Sequence, residues 1–370
     1  MKIRNTPEDY INLNPLQAGG RTVAETRLAV NSYADGYAGY DQYSGPFFQI
    51  PKKETEQLID KLKIFLGADG IFFTHGVREA KYLLMQSILE NNDSIIVDGN
   101  AHFSTVLAAE KLGVKVFQTK NSGFPDYKIN PKNYETLIES LKKKNQKPRL
   151  LVLTQVDGTY GNLVDAAKVA LIAKKHDIPL LLNSAYLSGR TKVDIGEIGA
   201  DFIVISGHKS FGVPGHIGAL GVSEKWIDKI KSPDKDAKPW DLPARYLAIT
   251  GLLASMDTIE KRVGNWDEEV KKANWFVEKM ESLGDIKLLG EKPKQHDLIL
   301  FDTPILERIS ANKRKKGYYL AEKLKEFGII GLRPGQTKEL RISTYGLTRS
   351  QLDYVYQTFA KLIKEENHGI

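Results

Sequence analysis

Short apolar runs alternate with amphipathic stretches through the first two thirds of the chain. Each run is rich in β-branched and leucine side chains and is bounded by turn residues, a pattern that predicts buried strands. The stretches between the runs have apolar residues at helical spacing. The strands predicted in this way cover 70–74, 94–98, 114–117, 149–154, 178–182, 202–205 and 219–222. Such alternation predicts an α/β domain with a mostly parallel sheet and helices on both faces.

The two ends of the chain have different patterns. The first 50 residues are rich in turns and in interleaved glycine, tyrosine and phenylalanine, with one short helix at 24–33, and predict an ordered arm packed on its own domain or on a partner subunit. A proline- and charge-rich stretch at 230–245 predicts a linker. A single long amphipathic helix is then expected at 246–280.

The last part predicts a smaller α+β unit. Its strands are expected near 286–289, 298–301, 331–333 and 340–343, and its helices near 315–327 and 350–365. We therefore divide the chain into an arm (1–50), a large domain (51–245), and a long helix with a small C-terminal domain (246–370).

Composition narrows the class of protein. The 370 residues are 41% hydrophobic and 27% charged, which is typical of a globular protein. The net charge of +7 suits a polyanionic partner such as a nucleic acid, although solvated lysines explain most of it more simply. The absence of cysteine excludes disulfides, thiolate metal sites and a cysteine nucleophile. Without an apolar signal region or a membrane-spanning run, we expect a soluble cytoplasmic protein.

The clearest chemical signal is the turn that follows the apolar run 202–205. It reads Ser206-Gly207-His208-Lys209-Ser210. A lysine that is partly desolvated at a strand end, beside an imidazole, has a lowered amine pKa and becomes a nucleophile towards carbonyl compounds. This context suggests a Schiff base between Lys209 and pyridoxal phosphate, with Ser206 and His208 as phosphate donors. An ordinary loop lysine is the alternative.

Polar residues also follow the other predicted strands. Gly76-Val77-Arg78 opens a helix and is suited to hold a phosphate on free backbone N–H groups. His102 is placed either to stack on a cofactor ring or to cap a helix. The turn at 157–162, with Gln155 before it, either reaches a cofactor edge or is only a loop. Because the carboxyl ends of parallel strands share one edge of a sheet, we expect one composite site.

Asn183 follows another fully apolar run. Enzymes of this architecture that use pyridoxal phosphate usually have aspartate there, whose charge keeps the pyridine nitrogen protonated. Asparagine donates or accepts a hydrogen bond without that charge. The weaker electron sink favours elimination or replacement at Cβ over full transamination.

Together these motifs resemble the O-phosphoseryl-tRNA:cysteinyl-tRNA synthase family. The resemblance runs in order through nearly the whole chain and rests on NLNPLQAGG with DGY downstream, GVREAK, NAHFS, VDGTYGNL, LLNSAYLSGR, GADFIVISGHKS and LRISTYGL. It implies the aspartate-aminotransferase-like fold of transferases that depend on pyridoxal phosphate (PLP). It also implies an archaeal homodimer that replaces the phosphate of phosphoserine on tRNA(Cys) by sulfur, with tRNA and the phosphoseryl-tRNA-charging synthetase as partners.

The resemblance also assigns roles to residues. Lys209 would bind pyridoxal phosphate and take the substrate's α-proton, and Asn183 would meet the pyridine nitrogen. His102 would stack on the ring. Basic groups such as Arg78 would help the substrate phosphate leave. The residues that would hold the cofactor phosphate are Val77, Arg78, Ser206, Gly207 and His208.

The chain departs from the family where thiols are expected to carry sulfur. Tyr40 and Tyr43 stand where cysteines follow DGY, and Leu242 stands where another precedes the long helix. A persulfide on this chain is impossible. Sulfur then arrives on another protein or as free sulfide, or the chain performs other PLP chemistry on the same tyrosine-rich arm.

Because of Arg341, the sequence alone does not decide between a tRNA-linked substrate and a free amino acid. An arginine on a C-terminal strand often binds the α-carboxylate of a free amino acid, a group that aminoacyl-tRNA lacks. A PLP-dependent lyase or transferase acting on free phosphoserine is therefore an alternative, and an exposed strand arginine is the plainer interpretation. A third class, a non-enzymatic binding partner of tRNA or of the charging enzyme, is disfavoured by Lys209, His208, Arg78 and His102.

Overall fold

The computed structural model describes residues 10–14, 22–34, 46–230 and 246–367. The strands are β1 (Ile11–Asn12), β2 (Gly70–Thr74), β3 (Ser94–Val97), β4 (Lys115–Gln118), β5 (Leu150–Thr154), β6 (Leu180–Asn183), β7 (Phe202–Ser206), β8 (Gly218–Val222), β9 (Lys287–Leu289), β10 (Leu298–Asp302), β11 (Ile329–Ile330) and β12 (Glu339–Ser343). The helices are α1 (Ala24–Ala34), α2 (Pro46–Leu66), α3 (Val77–Ile88), α4 (Phe103–Lys111), α5 (Lys132–Lys142), α6 (Ala166–Lys175), α7 (Ile195–Ile198), α8 (Ile227–Ile230), α9 (Tyr246–Val263), α10 (Trp266–Glu281), α11 (Pro304–Ala311), α12 (Tyr319–Glu326) and α13 (Arg349–Asn367).

A seven-stranded sheet with the order β2-β8-β7-β6-β5-β3-β4 forms the centre of the molecule. Strands β7, β6, β5, β3 and β4 are parallel. Strand β8 is antiparallel to both of its neighbours, so β2 runs in the same direction as the parallel set. Six strands therefore end at the same edge. The predicted α/β fold class is confirmed.

The central strands are apolar along their whole length because both of their faces are covered. Every residue of β5, β6 and β7 is buried. Helices α2, α5, α6 and α9 pack on one face, and α3 and α4 pack on the other. This two-sided burial is typical of parallel sheets and fixes where each strand ends.

A second, smaller unit contains the antiparallel sheet β12-β10-β9. Helices α10, α11, α12 and α13 cover it around their own apolar core. The N-terminal strand β1 joins this unit by pairing in parallel with β11. The predicted α+β character of the last part of the chain is present.

Buried polar contacts join the two units. Arg190, in the turn after β6, donates to the carboxylate of Asp297, next to β10, and both side chains are completely buried. Burial alone would raise the pKa of Asp297, but the Arg190 guanidinium holds it below its ordinary value. Tyr345 donates to the backbone carbonyl of Ser210 at 3.1 Å, directly after Lys209. The small unit therefore braces the turn that carries the lysine.

The predicted single helix at 246–280 is wrong, because two helices occupy this stretch. Val263 ends α9, and Gly264 and Asn265 separate it from α10. Glycine has a poor helix propensity, and the acidic residues 267–269 favour a new helix N-terminus. Side chains of α9 lie in the core of the large sheet, whereas those of α10 lie in the core of the small unit.

Two other boundaries differ from the expectation. The strand predicted at 331–333 lies instead at β11, because Gly331 has a φ of 101° and turns the chain where it approaches the backbone of Leu13 and Asn14. Helix α2 begins at Pro46, inside the stretch predicted to belong to the arm, rather than near residue 53.

Helix α1 packs on its own chain. The Thr26 hydroxyl donates to the carbonyl of Gly251 in α9 at 3.1 Å, and a Cβ at Gly251 would lie 3.1 Å from Val30. Of the two alternatives expected for the arm, packing on its own domain or on a partner subunit, this helix follows the first. The rest of the proposed domain division stays a prediction, and residues 231–245 lie outside the described part.

Candidate functional site

The polar residues predicted from the sequence gather at one edge of the large sheet. Gly76 follows β2, His102 follows β3, Asp157 follows β5 and Asn183 closes β6. Lys209 follows β7, whose partner β8 returns antiparallel. All five strands end on the same side, as the direction of the strands requires. The expected composite arrangement is therefore present in the structure.

Lys209 lies half-buried with its amine over an aromatic ring. Its Nζ is 3.6 Å from the centre of the Tyr186 ring. Burial lowers the pKa of Lys209 to about 7, and repulsion from Arg190, Arg78 and Arg341 adds to the shift. A substantial fraction of this amine is unprotonated near neutral pH. Such an amine is able to attack a carbonyl carbon.

The turn before Lys209 is fixed by close packing. Gly207 donates its N–H to the carbonyl of Ile217 at 3.0 Å, and a Cβ on Gly207 would overlap the Ile217 side chain. The buried Ser206 hydroxyl lies 3.2 Å from Nδ1 of His208. Burial, with the charges of Lys209 and His216, lowers the pKa of His208. This turn presents a hydroxyl and a neutral imidazole beside the amine.

The N-terminus of α3 lies against β8. A Cβ on Gly218 would be 2.8 Å from the backbone of Gly76, so only glycine allows this approach. The helix begins at Val77 without a side-chain cap. Because Gly218 pairs with Ser206 across the sheet, the start of α3 lies beside the turn that carries Lys209. Arg78 is exposed, with its guanidinium carbon 4.9 Å from the centre of the Phe103 ring.

His102 caps the N-terminus of α4. Its Nδ1 accepts the N–H of Ser104 at 3.2 Å and lies 2.8 Å from the Ser104 hydroxyl oxygen. Burial and the nearby charges of Lys81, Lys209 and Arg78 lower the pKa of His102 to about 4. The imidazole is therefore neutral near pH 7. The two roles considered for His102, capping and cofactor contact, are compatible because Nε2 and the ring faces are not used by the cap.

Sequence reasoning missed Lys81. Its side chain is completely buried, and its Nζ donates to the hydroxyls of Ser104 at 2.8 Å and Thr105 at 2.7 Å. Burial, followed by repulsion from Lys209 and Arg78, lowers its pKa to about 7. The signal was present, because Lys81 lies on the apolar face of α3 beside the buried Leu84 and Met85.

The turn after β5 has a structural explanation. The buried Asp157 carboxylate accepts backbone N–H groups from Thr159 at 2.9 Å, Tyr160 at 2.6 Å and Asn162 at 3.1 Å. Gln155 accepts from the Ser184 hydroxyl. These contacts explain the Asp157 carboxylate as part of the loop, and contact between Gln155 and a cofactor edge stays a prediction. Asn183 is buried, and its Oδ1 accepts from the Ala185 N–H at 3.4 Å.

Arg341 contacts the same turn. Its Nη1 donates to the Gly158 carbonyl at 2.6 Å. One of its two outer nitrogens is thus occupied by backbone, and its side chain is half-buried rather than exposed. The arginine positions the glycine that packs against Tyr186. Tyr40 and Tyr43, the other candidate substrate residues, lie outside the described residues, as does Leu242.

The donor set fits pyridoxal phosphate. A lysine with a lowered pKa supplies the carbonyl-reactive amine, and the open N-terminus of α3 with Ser206 supplies phosphate donors. Among the described residues, no group of three histidine, aspartate or glutamate side chains is arranged to hold a metal ion. Within the same residues, no helix has both the length and the apolar character needed to span a membrane.

Comparison with known proteins gives a consistent result. The aminotransferase class-V family model matches residues 29–312. The chain is 41% identical over 367 residues to the O-phospho-L-seryl-tRNA:Cys-tRNA synthase of Methanothermobacter thermautotrophicus, covering 98% of this chain and 97% of the relative. The corresponding protein of Methanocaldococcus jannaschii is 40% identical over the same shares.

Solved structures agree with these relatives. The chain is similar to a chain of the crystal structure of a SepCysS–SepCysE N-terminal domain complex, with a TM-score of 0.89, 38% identity and coverage of 98% of this chain and 97% of that one. A cysteine desulfurase from Thermococcus onnurineus has a TM-score of 0.79 at 20% identity, covering 99% of this chain and 100% of that one. This second likeness concerns the fold alone.

Proposed function

Because the chain belongs to the O-phospho-L-seryl-tRNA:Cys-tRNA synthase family, we propose that it replaces the phosphate of phosphoserine on tRNA(Cys) by sulfur, with pyridoxal phosphate at Lys209. The observation that carries the proposal is the environment of Lys209. A half-buried amine with a pKa of about 7 lies at the strand edge where phosphate donors also gather. Family membership supports the reaction, and this geometry supports Lys209 as the residue that performs it.

The residues divide the work of binding. Lys209 would hold the aldehyde carbon of the cofactor, and the N-terminus of α3 at Val77 and Arg78 would hold its phosphate together with Ser206, Gly207 and His208. Asn183 would face the pyridine nitrogen and His102 the ring. When bound, pyridoxal phosphate supplies an electron sink for negative charge at the substrate Cα. An uncharged amide at Asn183 weakens that sink and suits loss of a good leaving group from Cβ.

Proton transfer and departure of phosphate fall to the basic groups. The Nζ of Lys209, with a pKa near 7, is suited to accept the α-proton at neutral pH. Arg78 is exposed beside the same edge, and its fixed positive charge would stabilise the phosphate as it leaves Cβ. The cationic surroundings of Lys209 favour a substrate that carries a phosphate.

Arg341 has a structural contact that is compatible with a tRNA-linked substrate. Its Nη1 is engaged by the Gly158 carbonyl, and its buried Nε has no partner among the described residues. A substrate whose carboxyl is esterified to tRNA needs no carboxylate-binding arginine. Arg341 then acts by supporting the turn that packs on Tyr186.

Basic surface near the site supports RNA as the partner. Arg314, Lys315 and Lys316 are exposed just before the exposed Tyr318. This turn is joined to the loop carrying Arg333 and Lys338, because Gly335 donates to the Gly317 carbonyl at 2.8 Å. Arg333 is near enough to Tyr186 and Arg341 to affect their pKa values. A cationic path with an exposed aromatic ring suits the single-stranded end of a tRNA.

Apolar surface beside the site supports a homodimer. Phe103 and Leu107 on α4 are 57% and 46% exposed, and Tyr82, on the neighbouring helix α3 one turn after the Arg78 that contacts Phe103, is 36% exposed. Side chains of this size are seldom left together in water, and a second copy would cover them.

The sulfur donor must lie outside this chain. The chain has no cysteine, so the donor must be another protein or free sulfide. A partner resembling SepCysE is one candidate of the first kind.

The test measures cysteinyl-tRNA formed from phosphoseryl-tRNA and sulfide by the purified protein. Product is expected from tRNA-linked phosphoserine and not from the free amino acid. Lys209→Ala should abolish both the product and the visible absorbance of the cofactor. Lys192→Ala, which changes an exposed lysine paired with Glu197, is the matched control and should leave both unchanged. Turnover of free phosphoserine, or product from Lys209→Ala, would overturn the proposal.

A further inference from the structure

Lys81 occupies a position that is unfavourable for stability. Its ammonium is completely buried and has two cationic neighbours, Lys209 from the turn after β7 and Arg78 from its own helix. The buried Asp98, after β3, partly offsets this repulsion, and the two groups that Lys81 contacts are uncharged hydroxyls. A buried charge without a close carboxylate costs stability, and such groups cluster where function requires them.

The contacts of Lys81 continue to His102. Below its pKa of about 7, Lys81 is an ammonium group that only donates, so the hydroxyl oxygen of Ser104 accepts from Lys81 Nζ at 2.8 Å. The single proton of that hydroxyl is then free for the other neighbour. This neighbour is Nδ1 of His102, also at 2.8 Å. The backbone N–H of Ser104 approaches the same nitrogen at 3.2 Å.

The hydrogen-bond directions fix the proton on the imidazole. A ring nitrogen that accepts two donors carries no proton of its own. Neutral His102 must therefore carry its proton on Nε2, the one ring nitrogen left to meet a ligand. The Ser104 oxygen has two lone pairs, so it could accept from Nδ1–H as well, but its own proton and the Ser104 backbone N–H would then both lose Nδ1 as their acceptor. By donating to the same oxygen, Lys81 favours the orientation in which the hydroxyl proton is directed at Nδ1.

We propose that Lys81 is a positioning residue, which through the Ser104 hydroxyl holds His102 as the Nε2–H tautomer and so presents an N–H donor to an anionic oxygen of the bound ligand. The ligand oxygen belongs to the phosphorylated substrate or to the cofactor in the site proposed above, and this part rests on the proposed function. The tautomer itself follows from the protein alone. Lys81 does not contact the ligand.

The first measurement is the tautomer of His102 by nitrogen NMR on protein labelled with 15N-histidine. The chain has seven histidines, and the His102 signals are identified by their loss in His102→Asn. In the unchanged protein at pH 6, below the pKa of about 7 for Lys81 and above the pKa of about 4 for His102, we expect Nε2 to be protonated and Nδ1 unprotonated. Protonation of Nδ1 instead would overturn the proposal.

Variants separate the hydroxyl from the charge. Lys81→Met is nearly isosteric and leaves no new buried polar group, and it should shift His102 measurably towards Nδ1–H. Ser104→Ala keeps the lysine but removes the hydroxyl, and it should shift the tautomer in the same direction. Thr105→Val removes the other hydroxyl that Lys81 contacts and should have an effect at least about threefold smaller. An unchanged tautomer in Lys81→Met would show that the lysine acts only by charge or packing, and the proposal would fail.

Kinetics connect the tautomer to the reaction. In Lys81→Met we expect the kcat for phosphate release from phosphoseryl-tRNA to fall by about tenfold or more, with a KM change within about threefold. A rise in KM with an unchanged kcat would contradict a donor that acts in the chemical step. If the unchanged protein releases no phosphate, the proposed function fails while the NMR result still decides the tautomer.

Discussion

The amine of Lys209 and the ring of Tyr186 are in direct contact, with Nζ 3.6 Å from the ring centre. On the same side of the site, the ring packs against Gly158, where a Cβ would lie 2.8 Å from the ring carbon Cε2. The glycine is held in turn by Arg341. The position of the lysine therefore depends on a residue of the small unit through two intermediates.

We expect Tyr186→Leu to lower the pKa of Lys209 below about 7. The face of an aromatic ring favours the ammonium form by roughly 0.5–2 kcal/mol, or about one pKa unit, and leucine removes this attraction. The measurement is the pH dependence of the rate at which the apoprotein takes up pyridoxal phosphate, followed by visible absorbance. Tyr186→Phe keeps the ring and should retain the midpoint. A midpoint that rises in the leucine variant, or moves equally in both, would contradict the contact.

The close approach of Gly218 to Gly76 predicts a loss of cofactor affinity in Gly218→Ala. The new Cβ would push the N-terminus of α3 away from β8, because the atoms that it meets are backbone. Overpacking of this kind costs about 1–3 kcal/mol, and we expect the Kd for pyridoxal phosphate to rise by about tenfold. Gly264→Ala, whose nearest neighbour would be 3.5 Å away, is the control and should bind normally. Equal affinities for the two variants would argue against this phosphate site.

The lowered pKa of Lys81 predicts that the free energy of unfolding rises with pH above neutrality. Its pKa is about 7 when folded and 10.5 in the reference state, so between these values the unfolded chain binds more protons. Stability then rises with pH in this window, by up to about 1.4 kcal/mol per pH unit for one lysine. Urea unfolding at pH 7 and pH 9 should show this rise, and Lys81→Met should reduce it.

The control for that experiment is Lys192→Met, which changes an exposed lysine whose pKa is raised by its hydrogen bond to Glu197. Its pH dependence between pH 7 and pH 9 should match the unchanged protein. If Lys81→Met and the unchanged protein gain the same stability over this range, the lysine is not held with a lowered pKa.

The basic turn before Tyr318 predicts salt-dependent binding of tRNA. Replacing Arg314 and Lys316 together by glutamate should weaken binding by about tenfold or more and reduce the slope of log affinity against log salt. Lys144→Glu is the control, because Lys144 lies near the end of the sheet at which β5 begins, opposite the site. Filter binding at salt concentrations from about 50 to about 200 mM measures both the affinity and its salt dependence. Equal losses in the variant and the control would indicate nonspecific attraction only.

The sequence predicted the large sheet well because its strands are buried on both faces and stand out as uninterrupted apolar runs. It also predicted the edge at which Lys209, His102 and Asn183 lie, since strand direction alone decides this. The break at Gly264 was missed because the amphipathic spacing continues on both sides of it. Lys81 was missed because a helical lysine is ordinarily solvated, and only the apolar neighbours on its face reveal its burial.

The hydrogen-bond partners of Arg341 and Asp157 could not be predicted from the pattern of residue types along the sequence either. Both bind backbone groups of the turn 157–162, and such contacts depend on how the two units pack rather than on local spacing. A residue type predicts the chemistry that a side chain can perform. Its actual partner is decided by tertiary structure.

The Arg190–Asp297 pair has a consequence for dividing the protein. Each charge is completely enclosed, and each is supplied by a different unit. A fragment that ends after α9 would lose both the Asp297 carboxylate and the Tyr345 ring that enclose the Arg190 guanidinium, and would expose to water the surface that the small unit covers. Neither half is then an autonomous module. Shortened versions should aggregate rather than fold, and the intact chain should melt in one cooperative transition.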